Sequence, residues 1–222
     1  MSTEDTEQRA EKIASDADDV RAKTRTLVVD AVRHSADTLQ SLPEIVSEAL
    51  EGAWKGLGNL ADDQKASVFR EVIDGVSEGV STSATAIKLT AEEAQGRGKQ
   101  FAKNELKGTA DDLRTLESLF TERISKLATS SVDVTSDQAK DLIAHATRIM
   151  KTVRPTIESA VGTIERQPIQ FAKESATVAA GATRKAAGSL LQGVAGVLDG
   201  LGDIVGGSTK EPSDEKDKPK DG

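Results

Sequence analysis

The sequence predicts an all-α protein in which long amphipathic helices form a bundle or a coiled-coil-like assembly. Three observations support this prediction. Apolar residues recur at helical spacing along most of the 222 residues, patterns typical of strands are nearly absent, and only five prolines interrupt the chain. Aromatic residues make up 2% of the chain, so Ala, Val, Leu and Ile must supply the contacts between helices. These side chains suit thin seams rather than a thick globular core.

Charge and composition disfavour several classes of function. The chain carries 37 acidic and 29 basic residues, and its net charge of -8 disfavours indiscriminate binding to nucleic acid. It has no cysteine, which excludes disulfides, thiolate metal sites and cysteine nucleophiles. The N-terminus lacks the apolar stretch of a secretory signal, and no segment offers about 18 consecutive apolar residues. We therefore expect a cytoplasmic protein without a transmembrane span.

The first predicted helix runs from about Glu4 to Gln40, with residues 1–10 disordered or frayed. The sequence Ser41-Leu42-Pro43-Glu44 predicts a capping box at the start of the second helix, because the Ser hydroxyl can accept from the backbone amide three residues on. Gly56-Leu57-Gly58-Asn59 predicts the end of that helix or a bend in it.

The third predicted helix begins at Asp62 and has an apolar residue every three or four positions. Gly75 and Gly79 are expected to weaken it by up to about 1 kcal/mol each relative to Ala. Gly96-Arg97-Gly98 predicts the break before the next helix. The bundle or coiled-coil region as a whole is expected to cover residues 11–166.

The next two helices each carry an apolar seam. From about Lys99 to Thr129, apolar residues recur seven apart, which predicts a heptad seam. Thr135-Ser136-Asp137-Gln138 predicts a second capping box, and the helix that it opens continues in phase past Pro155, where a kink is expected. The seam residues are Leu106, Leu113, Phe120, Leu127, Ile143, Met150, Ile157 and Ile164.

Residues 167–206 form an Ala/Gly-rich amphipathic segment, followed by a charged tail over residues 207–222 that we expect to be disordered. Gly196 and Gly200, four apart, could allow another helix to approach closely. The segment either closes the bundle or binds an external partner, and the sequence is compatible with both hypotheses. Its apolar face, the candidate interaction face, consists of Leu190, Leu191, Val194, Val197, Leu198, Leu201, Ile204 and Val205.

No constellation of residues predicts catalysis, a cofactor or a metal site. His34 and His145 stand alone on their helices, without the repeated Glu-x-x-His pair of diiron bundles. Asp62-Asp63 and Asp111-Asp112 are each adjacent in sequence, so their side chains point in different directions on a helix. Both pairs are interpreted as charges near helix N-termini, where the helix dipole favours them. We therefore expect that the protein is not an enzyme.

The segment from Ala91 to Phe120, AEEAQGRGKQFAKNELKGTADDLRTLESLF, resembles an uncharacterised bacterial helical family of unknown function. The whole pattern also resembles the phasins, which are bacterial helical proteins of similar size, rich in Ala and poor in aromatic residues. That resemblance implies a protein that coats the surface of storage-polyester granules.

These observations favour a non-enzymatic helical interaction or surface-coating protein. It would expose an apolar helix face to a hydrophobic granule, a lipid surface or a protein partner, and we expect it to self-associate. Two alternatives remain open from the sequence. One is a stress-protective helical protein that is partly disordered in water, and the other is a helical effector that inserts into membranes.

Overall fold

The computed structural model describes residues 3–38, 40–96, 103–130, 134–167, 190 and 192–200. These residues form helices without any strand, which confirms the predicted all-α fold. The seventh helix, α7, covers residues 192–200, and Leu190 just before it is also helical. The first six helices are α1 (Thr3–Asp16), α2 (Val20–Thr38), α3 (Leu42–Gly56), α4 (Asp62–Gly96), α5 (Lys103–Ser130) and α6 (Ser136–Glu165).

The six longer helices form three antiparallel hairpins, α1–α2, α3–α4 and α5–α6, which stack side by side in two layers. The first helices of the hairpins pack in the order α1, α3, α5, and the second helices pack in the order α2, α4, α6. Neighbours within a layer run parallel, since Glu7 and Glu11 of α1 meet Gly52 and Gly56 of α3 in the same direction. Each hairpin therefore buries apolar area mainly by stacking on the next one.

Glycine pairs four residues apart permit the closest parallel contacts. In α3, a Cβ added at Gly52 would overlap the carbonyl oxygen of Glu7. In α4, a Cβ added at Gly79 would lie 2.6 Å from the Cβ of Val28, and one at Gly75 would overlap the backbone of α2. Small residues at such crossings let two helix backbones approach closely. Gly75 and Gly79 thus lower helix propensity, as predicted, but they also make the contact between α2 and α4 possible.

The prediction of a single helix from Glu4 to Gln40 is wrong, because the chain turns at residues 17–19. Ala17 and Asp19 have φ angles of 49° and 47°, which end α1 and redirect the chain into α2. The turn falls in an acidic stretch, and Asp tolerates a left-handed backbone better than most residues. The break lets α1 pack on α3 while α2 packs on α4.

Helix α1 packs on α3 near the N-terminus. The sequence predicted a disordered or frayed segment over residues 1–10, whereas α1 begins at Thr3. Thr6 and Ala10 are buried because α1 lies against α3 along its length. The predicted disordered tail, residues 207–222, lies outside the described residues.

Both predicted capping boxes are confirmed. Ser41 Oγ accepts from Glu44 N at 3.4 Å, and Glu44 Oε2 accepts from Ser41 N at 2.8 Å. Thr135 and Gln138 make the same reciprocal pair, at 3.3 and 2.9 Å, at the start of α6. Each box satisfies backbone amides that the first helical turn leaves without partners. Beyond its cap, α6 continues through Pro155 as one helix.

The two predicted seams lie largely in the core. Six of their eight residues are buried, and Leu127 is partly buried against the same apolar cluster. Ile143 is the exception, since it is only half-buried while Leu142 beside it is fully buried. Helix α6 therefore turns a slightly different face to its neighbours than the sequence pattern indicated. Within the described part of the chain, no helix is long and apolar enough to cross a membrane.

Candidate functional site

The two histidines serve structural contacts. Nδ1 of His34 lies 2.8 Å from the carbonyl oxygen of Asp30, one helical turn earlier in α2. Nε2 of His145 lies 2.7 Å from Oδ1 of Asp74, which joins α6 to α4. Over the described ranges, no three His, Asp or Glu side chains are grouped so that they could hold a metal ion.

Helix α7 lies against the three helices α2, α4 and α5. Gly193 approaches Thr90 of α4 so closely that an added Cβ would overlap the Thr90 methyl group. Gly196 and Gly200, in contrast, face open space, since an added Cβ would meet nothing within 4 Å. The predicted close approach at Gly196 and Gly200 is therefore not found, and Gly193 is the glycine that makes one.

Side chains of the bundle hold the described part of this segment at two points. The carboxylate of Glu105 in α5 accepts a hydrogen bond from Leu190 N at 2.7 Å. At the other end, Arg33 of α2 donates to the carbonyl oxygen of Leu198 at 3.3 Å and lies 2.8 Å from Oδ1 of Asp199. The segment is therefore tied to both α5 and α2.

These contacts are important because the sequence of α7 has a low helix propensity. It contains three glycines, Gly193, Gly196 and Gly200, and each costs up to about 1 kcal/mol of helix stability relative to Ala. Helices this short are marginal in water even with good helix formers. The helical state of α7 is thus coupled to its contact with the bundle.

The structure describes four of the eight residues of the candidate interaction face. Leu190, Val194 and Leu198 are buried in the same apolar cluster as the three hairpins, and Val197 packs partly against it. The polar residues on the opposite side of α7 are exposed. The other four members of the face lie outside the described residues: Leu191, Leu201, Ile204 and Val205.

The remaining described surface offers little apolar area. Leu89 of α4 is the exposed large hydrophobic residue there, with 38% of its surface accessible. Isolated apolar residues of this kind are normal on soluble proteins. A large apolar contact surface within the described residues would therefore have to come from side chains that are now packed.

A cleft of about 530 Å³ lies between α5 and α6. Ion pairs cross it, since Arg154 Nε donates to Glu117 Oε2 at 2.9 Å and Arg114 pairs with Glu165. These pairs join the two helices of one hairpin. The charges of these four side chains are matched by each other.

The second cavity, of about 290 Å³, lies where α2, α3, α4 and α5 meet, and Asp112 lines it. Helix α5 begins at Lys103, so the interpretation of Asp111-Asp112 as charges at a helix N-terminus is wrong. Burial raises the pKa of the Asp112 carboxyl, and the nearby Glu44 and Asp111 carboxylates raise it further. Burial also raises the pKa of Glu48, although a hydrogen bond from Gln40 opposes the shift.

A family model matches residues 1–206 of the chain. The chain belongs to DUF6781, a family of unknown function. No curated protein and no solved structure matches the chain. The DUF6781 match includes all seven helices and ends at residue 206, so it extends through the whole candidate interaction face. It agrees with the resemblance of Ala91 to Phe120 to a family of unknown function.

The sequence did not identify the residues that hold α7. Arg33, Thr90 and Glu105 come from three different helices, and none stands in a motif that marks it. Their role depends on how distant parts of the chain pack, which hydrophobic periodicity does not encode. The unusual content of glycine and apolar residues in residues 190–205 was the one available signal, and it indicated the segment but not its docking site.

Proposed function

We propose that this protein is a non-catalytic helical interaction protein whose contact surface is the apolar face of the C-terminal segment. In the docked state described above, Leu190, Val194 and Leu198 of that face pack on the bundle. Release of α7 would expose it to a hydrophobic surface or to a partner protein. The three hairpins would remain stacked, because their contacts with one another do not involve α7.

The observation that carries this proposal is that side chains of the bundle hold a segment rich in glycine. Glu105 binds Leu190, and Arg33 binds Leu198 and Asp199. Such a segment exchanges readily between bound and released states, because its own sequence contributes little helix stability. A second hydrophobic surface could replace the bundle as the support on which it folds.

The resemblance to phasins suggests what that surface is. Storage-polyester granules present a neutral apolar surface, whereas anionic membranes favour basic helices. The polar side of α7 carries Asp199 rather than Lys or Arg, which fits a neutral surface better. We therefore propose granule coating as the specific form of the function, with a protein groove as the alternative partner.

The close packing of the hairpins favours this function over a stress-protective chain that is partly disordered in water. Phe69, Ile45 and Ile73 have no accessible surface, and glycines bring helix backbones into direct contact. Circular dichroism in dilute buffer separates the two functions. Strong helicity without trifluoroethanol supports the interaction protein, and helicity that requires it supports the stress-protective one.

The proposal is tested by placing charges on the apolar face. Leu191→Asp together with Leu198→Asp should abolish recruitment of a fluorescently tagged chain to polyester granules, since each change forfeits about 1.5–3 kcal/mol of side-chain burial. The matched control is Gln192→Asp with Gly196→Asp, which adds the same charges on the exposed side of α7.

Two measurements on these variants decide the result. We expect the control to be recruited like the parent, and the Leu191/Leu198 variant to keep most of its helicity and thermal stability while recruitment is lost. If the parent chain is recruited to no polyester or lipid surface, the coating function is wrong. If the Leu191/Leu198 variant unfolds as a whole, the segment is part of the fold rather than a releasable face.

A further inference from the structure

The cavity between α2, α3, α4 and α5 has the composition of a small-molecule site. Its volume is about 290 Å³, close to the lower end of the range for ligand pockets, which is about 300 Å³. Its polar lining residues are Ser35, Gln40, Ser41, Thr109 and Asp112. Its apolar lining residues are Val32, Leu42, Ile45, Ile87 and Leu113.

The carboxylate of Asp112 has no hydrogen bond or ion pair with any residue that the structure describes. This is unusual for a carboxylate that is half-buried, because burial without a partner is costly. Asp111, its neighbour in sequence, instead points outward and pairs with Arg114 at 3.3 Å. The two carboxylates therefore differ in their surroundings although they are adjacent on one helix.

Nearby charges add to the negative potential at this cavity. Glu44 is close enough to interact with Asp112, and Glu48 lies one turn further along α3. Glu44 accepts from Ser41 N, and Glu48 accepts from Gln40, but neither has a cationic partner among the described residues. The cavity thus combines apolar lining residues with the carboxylate of Asp112, which no basic side chain among the described residues pairs with.

We propose that this cavity binds a small organic cation, with its apolar group against Val32, Leu42 and Ile87 and its ammonium group on the carboxylate of Asp112. Charge complementarity selects the cation, because an ammonium group supplies the missing partner of Asp112 and interacts with Glu44 as well. The apolar wall selects a molecule with a hydrocarbon part over a hydrated metal ion. This site is independent of α7 and of the proposed function.

Benzylammonium is a suitable probe, and benzyl alcohol is its neutral counterpart of nearly the same size. Isothermal titration calorimetry on the full chain should show saturable binding of benzylammonium, with benzyl alcohol at least about tenfold weaker. The Asp112→Asn change should lower the affinity for benzylammonium by a similar factor. Asp111→Asn is the matched control, and it should leave the affinity unchanged because that carboxylate faces solvent.

Chemical-shift changes locate the site. The methyl groups of Leu42 and Ile87 should shift on titration with benzylammonium in the parent chain and should not shift in the Asp112→Asn variant. Thermal unfolding of each variant verifies that it is folded. The proposal is overturned if benzylammonium shows no saturable binding up to about 10 mM. It is equally overturned if Asp112→Asn and Asp111→Asn have the same effect, or if benzyl alcohol binds as tightly.

Discussion

Arg33 of α2 lies 2.8 Å from the carboxylate of Asp199 in α7 and also donates to the carbonyl oxygen of Leu198. The Arg33 side chain therefore pairs with an acidic residue of α7 and donates a hydrogen bond to the α7 backbone. The same guanidinium donates to Asp30 on its own helix at 2.9 Å, which holds it in position. Among the described residues, Arg33 and Glu105 thus both link the C-terminal segment to the hairpins.

Loss of Arg33 should release α7 without unfolding the hairpins. For Arg33→Met we expect faster hydrogen exchange at the amides of residues 192–200, because the cap and the ion pair are both removed. Global stability should fall by no more than about 1 kcal/mol, the usual contribution of an exposed ion pair. The control is Arg114→Met, which breaks pairs with Asp111 and Glu165 far from α7. It should leave exchange in α7 unchanged, and equal effects of the two variants would contradict the assigned role of Arg33.

The glycine contact between α1 and α3 should be intolerant of a side chain. Gly52→Ala places a Cβ on the backbone of Glu7, and we expect a loss of about 1–3 kcal/mol in the free energy of unfolding. Gly108 in α5 provides the matched control, since an added Cβ there meets nothing within 4 Å. Gly108→Ala should stabilise the chain by about 0.5–1 kcal/mol through helix propensity alone. Urea denaturation measures both, and a stabilising Gly52→Ala would show that α1 does not pack on α3 as described.

The turn between α1 and α2 should improve when its strained residue is replaced. Ala17 has a φ of 49°, which costs a residue with a Cβ about 1–2 kcal/mol, so we expect Ala17→Gly to raise stability or leave it unchanged. Ala22→Gly, at an exposed position inside α2, should lower stability by about 0.5–1 kcal/mol. If both glycines destabilise the chain equally in thermal unfolding, residues 17–19 continue the helix and the hairpin is absent.

The ionised carboxylate of Asp112 should lower the stability of the fold at neutral pH. Its pKa in the folded chain is raised above that in the unfolded chain, so the folded state binds the proton more tightly. The ionised carboxylate therefore destabilises the fold, and this penalty disappears as the pH falls through the folded pKa towards the ordinary value of 3.8. Asp112→Asn should raise the melting temperature at pH 7, with a gain that shrinks as the pH approaches 4. A gain that is constant across this range would indicate an effect other than ionisation.

Local signals in the sequence predicted the local features of this fold. Ser41 with Glu44, and Thr135 with Gln138, mark helix starts because each pair acts within one turn. The sequence did not predict the turn at Ala17, because the apolar residues before and after it fit a single helical period. The packing role of Gly52 could not be predicted either, since it depends on Glu7 in a distant helix. For the candidate interaction face, the amphipathic pattern was visible, whereas its docking against Arg33 and two other helices follows only from the tertiary arrangement.

A reversible covalent lock on α7 tests the central claim most directly. A Cβ at Gly193 would lie 3.7 Å from the Cβ of Thr90, close to the mean of about 3.8 Å in disulfides, and the chain has no other cysteine. Thr90→Cys with Gly193→Cys should therefore form a disulfide that holds α7 on the bundle, and the single-cysteine variants control for each substitution.

The measurement is recruitment of the double variant to polyester granules before and after reduction. We predict that the oxidised chain stays in solution and that the reduced chain binds like the parent, because only the reduced chain can release its apolar face. Equal recruitment of the oxidised and reduced chains would contradict the claim that release of α7 creates the contact surface.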